Sequence, residues 1–570
     1  MNRDYIGAFS WKPRIAFEQQ CYNKKVTAGC CALLLLSCLS AFALAAPETA
    51  PTTNTQDEQS CAALTSFNLQ ALPGGPAIIS SAQIVDVPAG GLEHTRNSGY
   101  QGTTARPPSP IHRYCDVTGY VAPQSKFELK LPLPADWNHK FYFNACGGFC
   151  GAVVRELPNF GLERGYASAT GNGGHDSVPG FDGVWAANAP ELQEDFGWRS
   201  NHVVTLIAKA ITTRYYATSI RHSYMAGNSK GGQAVLMEAQ RFPEDFDGLM
   251  PSAAVYDYTG RNTIASAWFA QGFSDGQGGS VLNAEVAQIV HKSVLEHCGA
   301  QAGVEEGLVT DPISCNWRPE LIACRSGNTE PSCLTPQQVA AIKRLMSPAT
   351  NSKGDVLYAY PYISGTETQW IGWNYYGEPG GSARVPPRLA NMDLPAQHLG
   401  YLADETVRHN VDALMFNFDR DPATLARSRR IYDATSFDLR SFKARGGKIL
   451  MWHGWADGAI VATSSIGYYE GVRKFMGGRD KTDDFFRLFL VPGVHHGGGG
   501  PGLTEFDALS ALEDWVEKGQ APDKLIAGRV TNGVIERARP VYPYPILARY
   551  SGKGDPMQAD SFVPFDPSRK

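Results

Sequence analysis

The feature that most restricts the fold is a Gly-x-Ser-x-Gly motif at 227–231, centred on Ser229. An apolar run at 222–226 precedes it and predicts a strand, and residues 231–241 predict a helix. A chain that passes from strand to helix so abruptly needs small residues on both sides of the turn, and such a turn projects the serine hydroxyl at a helix N-terminus. The motif alone is also compatible with an ordinary glycine-rich turn.

Strand and helix patterns alternate on both sides of this motif, which indicates an α/β fold with a mostly parallel sheet. The predicted strands are 126–131, 141–143, 222–226, 248–255, 447–452 and 485–491. The predicted helices are 201–216, 231–241, 463–476 and 503–518. The sequence shows no internal repeat.

The alternation stops between 258 and 435, where glycine, proline, four cysteines and several aromatic residues accumulate. We interpret 258–435 as a lid domain inserted into the α/β core. The core is then made of two parts, 61–257 and 436–570.

The N-terminus has the pattern of an export signal, in which two lysines precede a short apolar run that closes on small residues. We expect residues 1–45 to be a signal peptide and the Pro/Thr-rich residues 46–60 to be a flexible linker. Lipidation at Cys38 is the alternative. No later segment is long and apolar enough to span a membrane, so the sequence predicts a periplasmic or secreted protein.

Charge restricts the class of partner. The formal net charge is −5 and the part after the signal has no cluster of lysine and arginine, so nucleic acid is not expected to bind. The expected partner is a small molecule. Nothing in the sequence points to a particular oligomeric state.

Eight of the twelve cysteines lie after the signal segment, and an even number in an exported chain predicts disulfides. The pairs closest in sequence among 298–333 are natural candidates, Cys298 with Cys315 and Cys324 with Cys333. A zinc site is not expected, because no Cys/His spacing of that kind occurs. The eight are Cys61, Cys115, Cys146, Cys150, Cys298, Cys315, Cys324 and Cys333.

Two further residues stand where a serine nucleophile would need partners. A serine hydroxyl requires a base to take its proton and a carboxylate to hold that base. Asp457 follows the predicted strand 447–452, and His496 follows the predicted strand 485–491. Ser, Asp, His is the chain order of α/β-hydrolases, and the carboxyl ends of parallel strands meet at one edge of a sheet. We predict Ser229 as nucleophile, His496 as base and Asp457 as the residue that orients it.

An oxyanion hole needs backbone N–H groups, one usually from the residue after the nucleophile, here Lys230. The second is predicted at Gly148, in the glycine turn 146–151. The alternative for this segment is a plain tight turn stapled by Cys146 and Cys150.

Three further residues are candidates for binding substrate. Trp370 and Trp373 could stack on an aromatic ring, with packing of the lid's own core as the alternative. His495 is a candidate for lining the pocket or only covering it. Both adjacent histidines binding one metal ion is not expected, because neighbours on a loop point in different directions.

The chain resembles the tannase and feruloyl esterase family of serine esterases over nearly its whole length after the signal. The resemblance rests on the serine motif with 239–248 behind it, on 453–457, on the histidine loop ending at 498–502, and on 549–555. It selects His496 over His495 as the base. It implies an α/β-hydrolase core with a large lid, acting on esters of phenolic acids such as gallate or hydroxycinnamates, or on similar aromatic monoesters.

The sequence departs from this family in two places. Asn228 and Gly497 stand where the family usually has a disulfide next to the nucleophile and the histidine. In the loop between Cys298 and Cys315, the resemblance implies a calcium site, but Gly299 and Ala302 occupy positions of aspartates. Glu306 and the carbonyls of Val304 and Leu308 remain, which is a poor set for an ion that prefers six to eight oxygens. We therefore expect no bound calcium, and no metal in the active site.

The predicted reaction is ester hydrolysis through an acyl-enzyme intermediate, with no organic cofactor. Hydrolysis of non-phenolic esters, polyester fragments or amides by the same triad is one alternative. A catalytically dead binding protein on the same scaffold is another.

Overall fold

The structure is a computed structural model that describes six stretches of the chain. The predicted signal peptide 1–45 and Cys38 lie outside them, as does residue 376 in the aromatic part of the lid. The described residues are 55–94, 111–178, 180–325, 332–375, 389–531 and 534–568.

Among the described residues, nine strands form one sheet in the order β1-β2-β3-β5-β4-β6-β7-β10-β11. The strands in chain order are β1 Ala77–Asp86, β2 Arg113–Val121, β3 Ser125–Pro132, β4 Lys140–Ala145, β5 Ala167–Gly171, β6 His222–Asn228, β7 Gly248–Ser252, β8 Ala349–Thr350, β9 Val356–Tyr358, β10 Lys448–Gly454, β11 Phe486–Val491, β12 Leu525–Thr531, β13 Val534–Val541, β14 Leu547–Tyr550 and β15 Phe562–Phe565. Strands β5, β4, β6, β7, β10 and β11 pair in parallel, and β1, β2, β3 and β5 pair antiparallel. The mostly parallel sheet confirms the predicted α/β-hydrolase class.

Helices pack against this sheet and also make up much of the region between β7 and β10. They are α1 Thr55–Ala62, α2 Asn159–Leu162, α3 Pro190–Glu194, α4 Ser200–Tyr216, α5 Lys230–Arg241, α6 Ser266–Phe273, α7 Ala284–Cys298, α8 Pro336–Leu345, α9 Ala390–Gln397, α10 Ala426–Tyr432, α11 Arg440–Ala444, α12 Ala462–Met476, α13 Arg479–Asp483 and α14 Ala508–Lys518.

The predicted linker 46–60 is wrong at its C-terminal end, because residues 55–60 belong to α1. The acidic residues Asp57 and Glu58 lie in the first turn of this helix, where negative charge favours its N-terminus. Cys61 near its end is bonded to Cys115 of β2, which fixes the helix to the sheet. The rest of the predicted linker lies outside the described residues.

Two predicted boundaries also move. The strand predicted at 248–255 ends at Ser252, because Ala253 turns the chain with φ +42°. The helix predicted at 503–518 begins at Ala508, where the Asp507 side chain accepts a hydrogen bond from the N–H of Ser510 at 3.0 Å. An acidic side chain in this position stabilises the start of a helix.

The region between β7 and β10 has an apolar core of its own, distinct from the cluster under the sheet. Strands β7 and β10 are hydrogen-bonded neighbours, with Gly248 opposite Lys448 and Ser252 opposite Trp452. The chain thus leaves the sheet and returns beside the place it left. We call the region 258–435 the insertion; its limits as a lid domain stay a prediction.

All eight cysteines predicted to form disulfides do so. The pairs are Cys61–Cys115, Cys146–Cys150, Cys298–Cys315 and Cys324–Cys333. Four disulfides are typical of chains that fold in an oxidising compartment. In the described part of the chain, no helix has the length and apolar character needed to cross a membrane.

Candidate active site

Ser229 lies at the turn between β6 and α5, with φ +61° and ψ −116°. A non-glycine residue rarely adopts this conformation, and it persists only where the surroundings enforce it. The glycines of the motif are needed for space: a Cβ on Gly227 would lie 2.4 Å from the carbonyl oxygen of Gly231, and one on Gly231 would lie 2.8 Å from that of Ala145. The motif therefore forms the strained strand-to-helix turn that its spacing predicts.

Asp457 lies in the loop after β10. Its carboxylate is fully buried, and both of its oxygens accept hydrogen bonds. Oδ2 accepts from Nδ1 of His496 at 2.7 Å and from Nε2 of His453 at 3.1 Å, while Oδ1 accepts from the N–H groups of Ala459 and Ile460 at 2.7 and 2.9 Å. Burial alone would raise the pKa of Asp457, but the charge of His496 and the hydrogen bonds from the two histidines outweigh it, so the pKa lies well below its usual value. The carboxylate is therefore ionised.

His453 contacts the same carboxylate oxygen as His496 and is completely buried. Its Nε2 faces both Oδ2 of Asp457 and, at 2.7 Å, the carbonyl oxygen of Ile460, so this nitrogen carries the proton. Its Nδ1 lies 2.8 Å from the hydroxyl of Ser465. His453 thus helps to hold Asp457 and does not line the cavity.

His496 faces the serine turn with its other ring nitrogen. Because Nδ1 meets a carboxylate, it bears the proton, and Nε2 presents a lone pair. Nε2 lies 3.5 Å from the side-chain nitrogen of Asn228, the residue before Ser229. Among the described residues no hydrogen bond engages the Ser229 hydroxyl, which leaves it free to turn; catalytic hydrogen bonds often tighten only once substrate is bound.

The two predicted oxyanion donors lie at the same cavity. Gly148 has φ +63°, and the turn around it is closed by the Cys146–Cys150 disulfide and by a hydrogen bond from Cys150 N–H to Gly147 at 3.0 Å. Within the described residues, neither the Gly148 N–H nor the Lys230 N–H donates to another protein group. Both can therefore donate to an oxygen in the cavity.

The cavity has a volume of about 740 Å³, including its open mouth, and contains Ser229 and His496 in its wall. Most of the remaining wall is aromatic or aliphatic, and Asn262 adds an amide. The apolar lining residues are Phe149, Phe181, Val255, Tyr258, Trp373, Leu394 and Ile460. The insertion supplies Tyr258, Asn262, Trp373 and Leu394, so it forms one wall of the site.

Trp373 is the one of the three predicted substrate-binding residues that lines this cavity. Trp370 is 1% exposed and lies in the core of the insertion, where its indole N–H donates to the Thr366 hydroxyl at 3.1 Å. His495 does not line the cavity, and its Nε2 lies 2.9 Å from the Thr368 hydroxyl. Trp370 therefore packs in the core of the insertion, and His495 joins the histidine loop to the insertion.

Lys230 has a side chain in an unusual place for a cation. It is 2% exposed, and Nζ lies 4.6 Å from the centroid of the Phe196 ring. Among the described residues no carboxylate forms an ion pair with it. Burial lowers the pKa of Lys230 to about 7.

Gln369 of the insertion is a site residue that the sequence did not indicate. Its side-chain oxygen accepts from the N–H of Gly458 at 2.7 Å and from the N–H of His496 at 3.1 Å. These partners are 89 and 127 residues away in the chain. No local pattern could have shown that they meet.

The residues of the implied calcium loop do not fit calcium in this structure. The carboxylate of Glu306 is 5% exposed and is bound by the guanidinium groups of Arg537 and Arg539 from β13. Two fixed cations already neutralise the single carboxylate that remains of the pattern, and calcium requires several anionic oxygens. Elsewhere in the described chain, His202, Glu238 and Asp245 have side-chain atoms within 4.8 Å of one another, but His202 Nδ1 already binds Asp245 at 2.6 Å.

Two sequence relatives cover most of the chain. A mono(2-hydroxyethyl) terephthalate hydrolase of Piscinibacter sakaiensis is 31% identical over 509 residues, which are 78% of this chain and 83% of that protein. An uncharacterised esterase of Xanthomonas campestris is 32% identical over 558 residues, 88% of this chain and 91% of that protein.

The fold also matches a solved structure, and the family is defined over the same region. The crystal structure of feruloyl esterase B from Aspergillus oryzae has a TM-score of 0.75 at 23% identity, and the match covers 89% of this chain and 100% of that one. Residues 109–564 match the family described as tannase and feruloyl esterase. The chain therefore belongs to the tannase and feruloyl esterase family and is a carboxylic ester hydrolase with an α/β-hydrolase fold.

Proposed function

We propose that this esterase cleaves esters of aromatic carboxylic acids by a serine mechanism. Ser229 attacks the ester carbonyl, and His496 takes the serine proton and passes it to the departing alcohol. Asp457 holds the imidazole and stabilises its cationic form. The N–H groups of Lys230 and Gly148 stabilise the tetrahedral oxyanion. Water, activated by His496, then releases the acid from the acyl-enzyme.

One observation carries this proposal: a strained serine and a histidine braced by a buried carboxylate line the same cavity. The 2.7 Å contact between His496 and Asp457 fixes which ring nitrogen is free to act as base. The serine and the histidine come from turns after two strands of one sheet, so the geometry is set by the core.

The substrate class follows from the walls of the cavity. Phe149, Phe181, Tyr258 and Trp373 can pack against a ring, because aromatic pairs favour stacked and edge-on contacts. The family is described by tannase and feruloyl esterase, and one relative is named for a terephthalate monoester. These names share an aromatic ring on the acyl side.

The protein uses no organic cofactor and no metal in this chemistry, and nucleic acid is not among its partners.

Disulfides and an N-terminal export pattern support a periplasmic or secreted location. Ester substrates of this kind would then be met outside the cytoplasm.

A panel of esters tests the proposal. We expect the wild type to hydrolyse methyl gallate, methyl ferulate or mono(2-hydroxyethyl) terephthalate faster than a short aliphatic ester, measured as kcat/KM. Ser229→Ala should lower kcat on the best substrate by at least about 10⁴-fold, since loss of the nucleophile leaves only binding and the oxyanion hole. Ser441→Ala, at an exposed serine on α11, is the matched control and should keep wild-type turnover.

Three results would contradict parts of this proposal. Wild-type turnover by Ser229→Ala would exclude the serine mechanism. A preference for the aliphatic ester would transfer the activity to the non-phenolic class. Failure of wild-type Ser229 to react with a fluorophosphonate probe, together with no turnover on any ester, would favour a binding protein on this scaffold.

A further inference from the structure

Gln369 joins the two loops that carry the base and its carboxylate. Its Oε1 accepts from Gly458, the residue after Asp457, and from the backbone of His496 itself. The same two loops are also joined directly, by the contact between Nδ1 of His496 and Oδ2 of Asp457 and by a hydrogen bond from the N–H of Ala456 to the carbonyl oxygen of Val494 at 3.1 Å. Gln369 adds a link from the insertion to both loops.

The chemistry of the partners fixes the orientation of the Gln369 amide. Both partners are backbone N–H donors, so the oxygen of the amide must face them and the NH₂ group must point away. A carbonyl oxygen has two lone pairs and can accept both bonds. Gly458 also permits the close approach, since a Cβ there would lie 3.0 Å from both Cβ and the carbonyl oxygen of Gln369.

The turn that carries Gln369 is itself anchored in the insertion. Glu367 is 1% exposed and accepts from the N–H of Gly365 at 2.8 Å and contacts Nδ1 of His291 at 3.0 Å. On the other side, Trp370 is buried in the core of the insertion. Since Glu367 and Trp370 are fixed on either side of Gln369, the position of its side chain follows the position of the insertion.

We propose that Gln369 is a positioning residue through which the insertion holds Asp457 and His496 in register, so that the triad is complete only while the insertion is seated against these loops. The proposal rests on the proposed serine mechanism. Gln369 contacts the backbones of Gly458 and His496 and no atom that reacts. Its loss should therefore slow the chemical steps with little effect on substrate binding.

Two substitutions separate the acceptor oxygen from the bulk of the side chain. Gln369→Met keeps the length and removes the acceptor, whereas Gln369→Glu keeps an acceptor and adds a charge. We expect Gln369→Met to lower kcat by about 10- to 100-fold, because small misplacements of catalytic groups cost this much, with KM changed less than about threefold. The rate of labelling by a fluorophosphonate should fall in parallel.

Gln369→Glu should restore kcat to within about threefold of wild type and move the acid limb of the kcat/KM profile to higher pH, because a second carboxylate near His496 favours the imidazolium. Gln337→Met is the matched control. It makes the same exchange at an exposed glutamine on α8 of the insertion that touches neither Asp457 nor His496, so it should leave kcat unchanged. Thermal unfolding of each variant shows whether the fold is intact.

The outcomes distinguish this inference from the mechanism it rests on. If Ser229→Ala is inactive but Gln369→Met has wild-type kcat and labelling rate, the positioning role is excluded and the serine mechanism stands. Equal losses in Gln369→Met and Gln369→Glu, with the acid limb unmoved, would also exclude it, since the acceptor would then be irrelevant. If Ser229→Ala remains active, the serine mechanism itself fails.

Discussion

Lys230 follows the proposed nucleophile Ser229 and has two separate properties, one of its backbone and one of its side chain. Its backbone N–H is a proposed oxyanion donor, and its side chain is buried over Phe196 without a carboxylate partner in the described structure. A lysine in this position costs stability whenever it is charged. The Gly-x-Ser-x-Gly motif allows any residue at position 230. The loss of stability therefore comes from the lysine of this chain and not from the turn.

Replacing this cation should stabilise the protein in a pH-dependent way. The pKa of Lys230 is about 7 in the folded protein and 10.5 is its ordinary value, so between these two the unfolded chain binds a proton that the folded chain does not. The free energy of unfolding therefore rises with pH across this window, and the penalty is largest below pH 7. We expect Lys230→Met to raise Tm more at pH 6 than at pH 9. Lys292→Met, with a side chain that is 80% exposed, should show no such difference; an equal gain at both pH values would contradict the assignment.

At the scale of elements, the sequence predicted what short-range pattern can encode. Strands β4, β6, β10 and β11 are buried, nearly continuous apolar runs, and the turns after β6, β10 and β11 carry the three residues predicted to act together. The outer strands β1 and β2 were not predicted, because Ile78 and Tyr120 are exposed and the alternation is weak there. Strand β5 was missed for another reason: Ala167–Gly171 consists of small residues with little strand preference.

The loop between Cys298 and Cys315 leads to a prediction about calcium. Two arginines neutralise the carboxylate of this loop that the resemblance assigned to calcium binding. A chelator should not lower the Tm of the wild type, and added calcium should not raise it. Glu306→Gln should lower the free energy of unfolding by about 3 kcal/mol, since it leaves two partly buried guanidinium groups without their carboxylate. Glu305→Gln, at the exposed neighbouring position, is the control. A rise in Tm with calcium would show that the loop binds the ion after all.

At the scale of the whole molecule, an aromatic cluster of Phe149, Phe196, Tyr258 and Tyr432 lies where the core and the insertion meet. Two completely buried histidines pack on this cluster, one from the core and one from the insertion. His175 lies 5.5 Å from Phe196, and His398 lies 5.7 Å from Tyr258, between ring centroids. Such long-range packing joins segments more than 200 residues apart in sequence, which is why neither histidine could be assigned a place from sequence.

These histidines should make the protein sensitive to acid. Burial lowers the pKa of His175 to about 4 and that of His398 to about 3, against an ordinary value of 6.5. Between 6.5 and these values only the unfolded chain is protonated, so stability is lost as the pH falls from 6.5, by about 1.4 kcal/mol per unit for each histidine. We expect His175→Phe to flatten the dependence of Tm on pH between 6.5 and 4.5. His297→Asn, at an exposed histidine, should leave the slope unchanged; an unaltered slope in His175→Phe would show that another group causes the acid sensitivity.

Because β7 and β10 are neighbours in the sheet, the segment between them can be replaced by another segment. Its two ends leave and rejoin the sheet on paired strands, so a segment of different length or sequence can be accommodated without shifting the pairing of the flanking strands. Substitutions within this segment then change the wall that it contributes to the cavity, while the turns that carry Ser229, Asp457 and His496 stay the same. A segment grafted from another esterase would have to supply its own amide oxygen to accept from the N–H groups of Gly458 and His496. Without that oxygen, we expect His496 to be held less firmly.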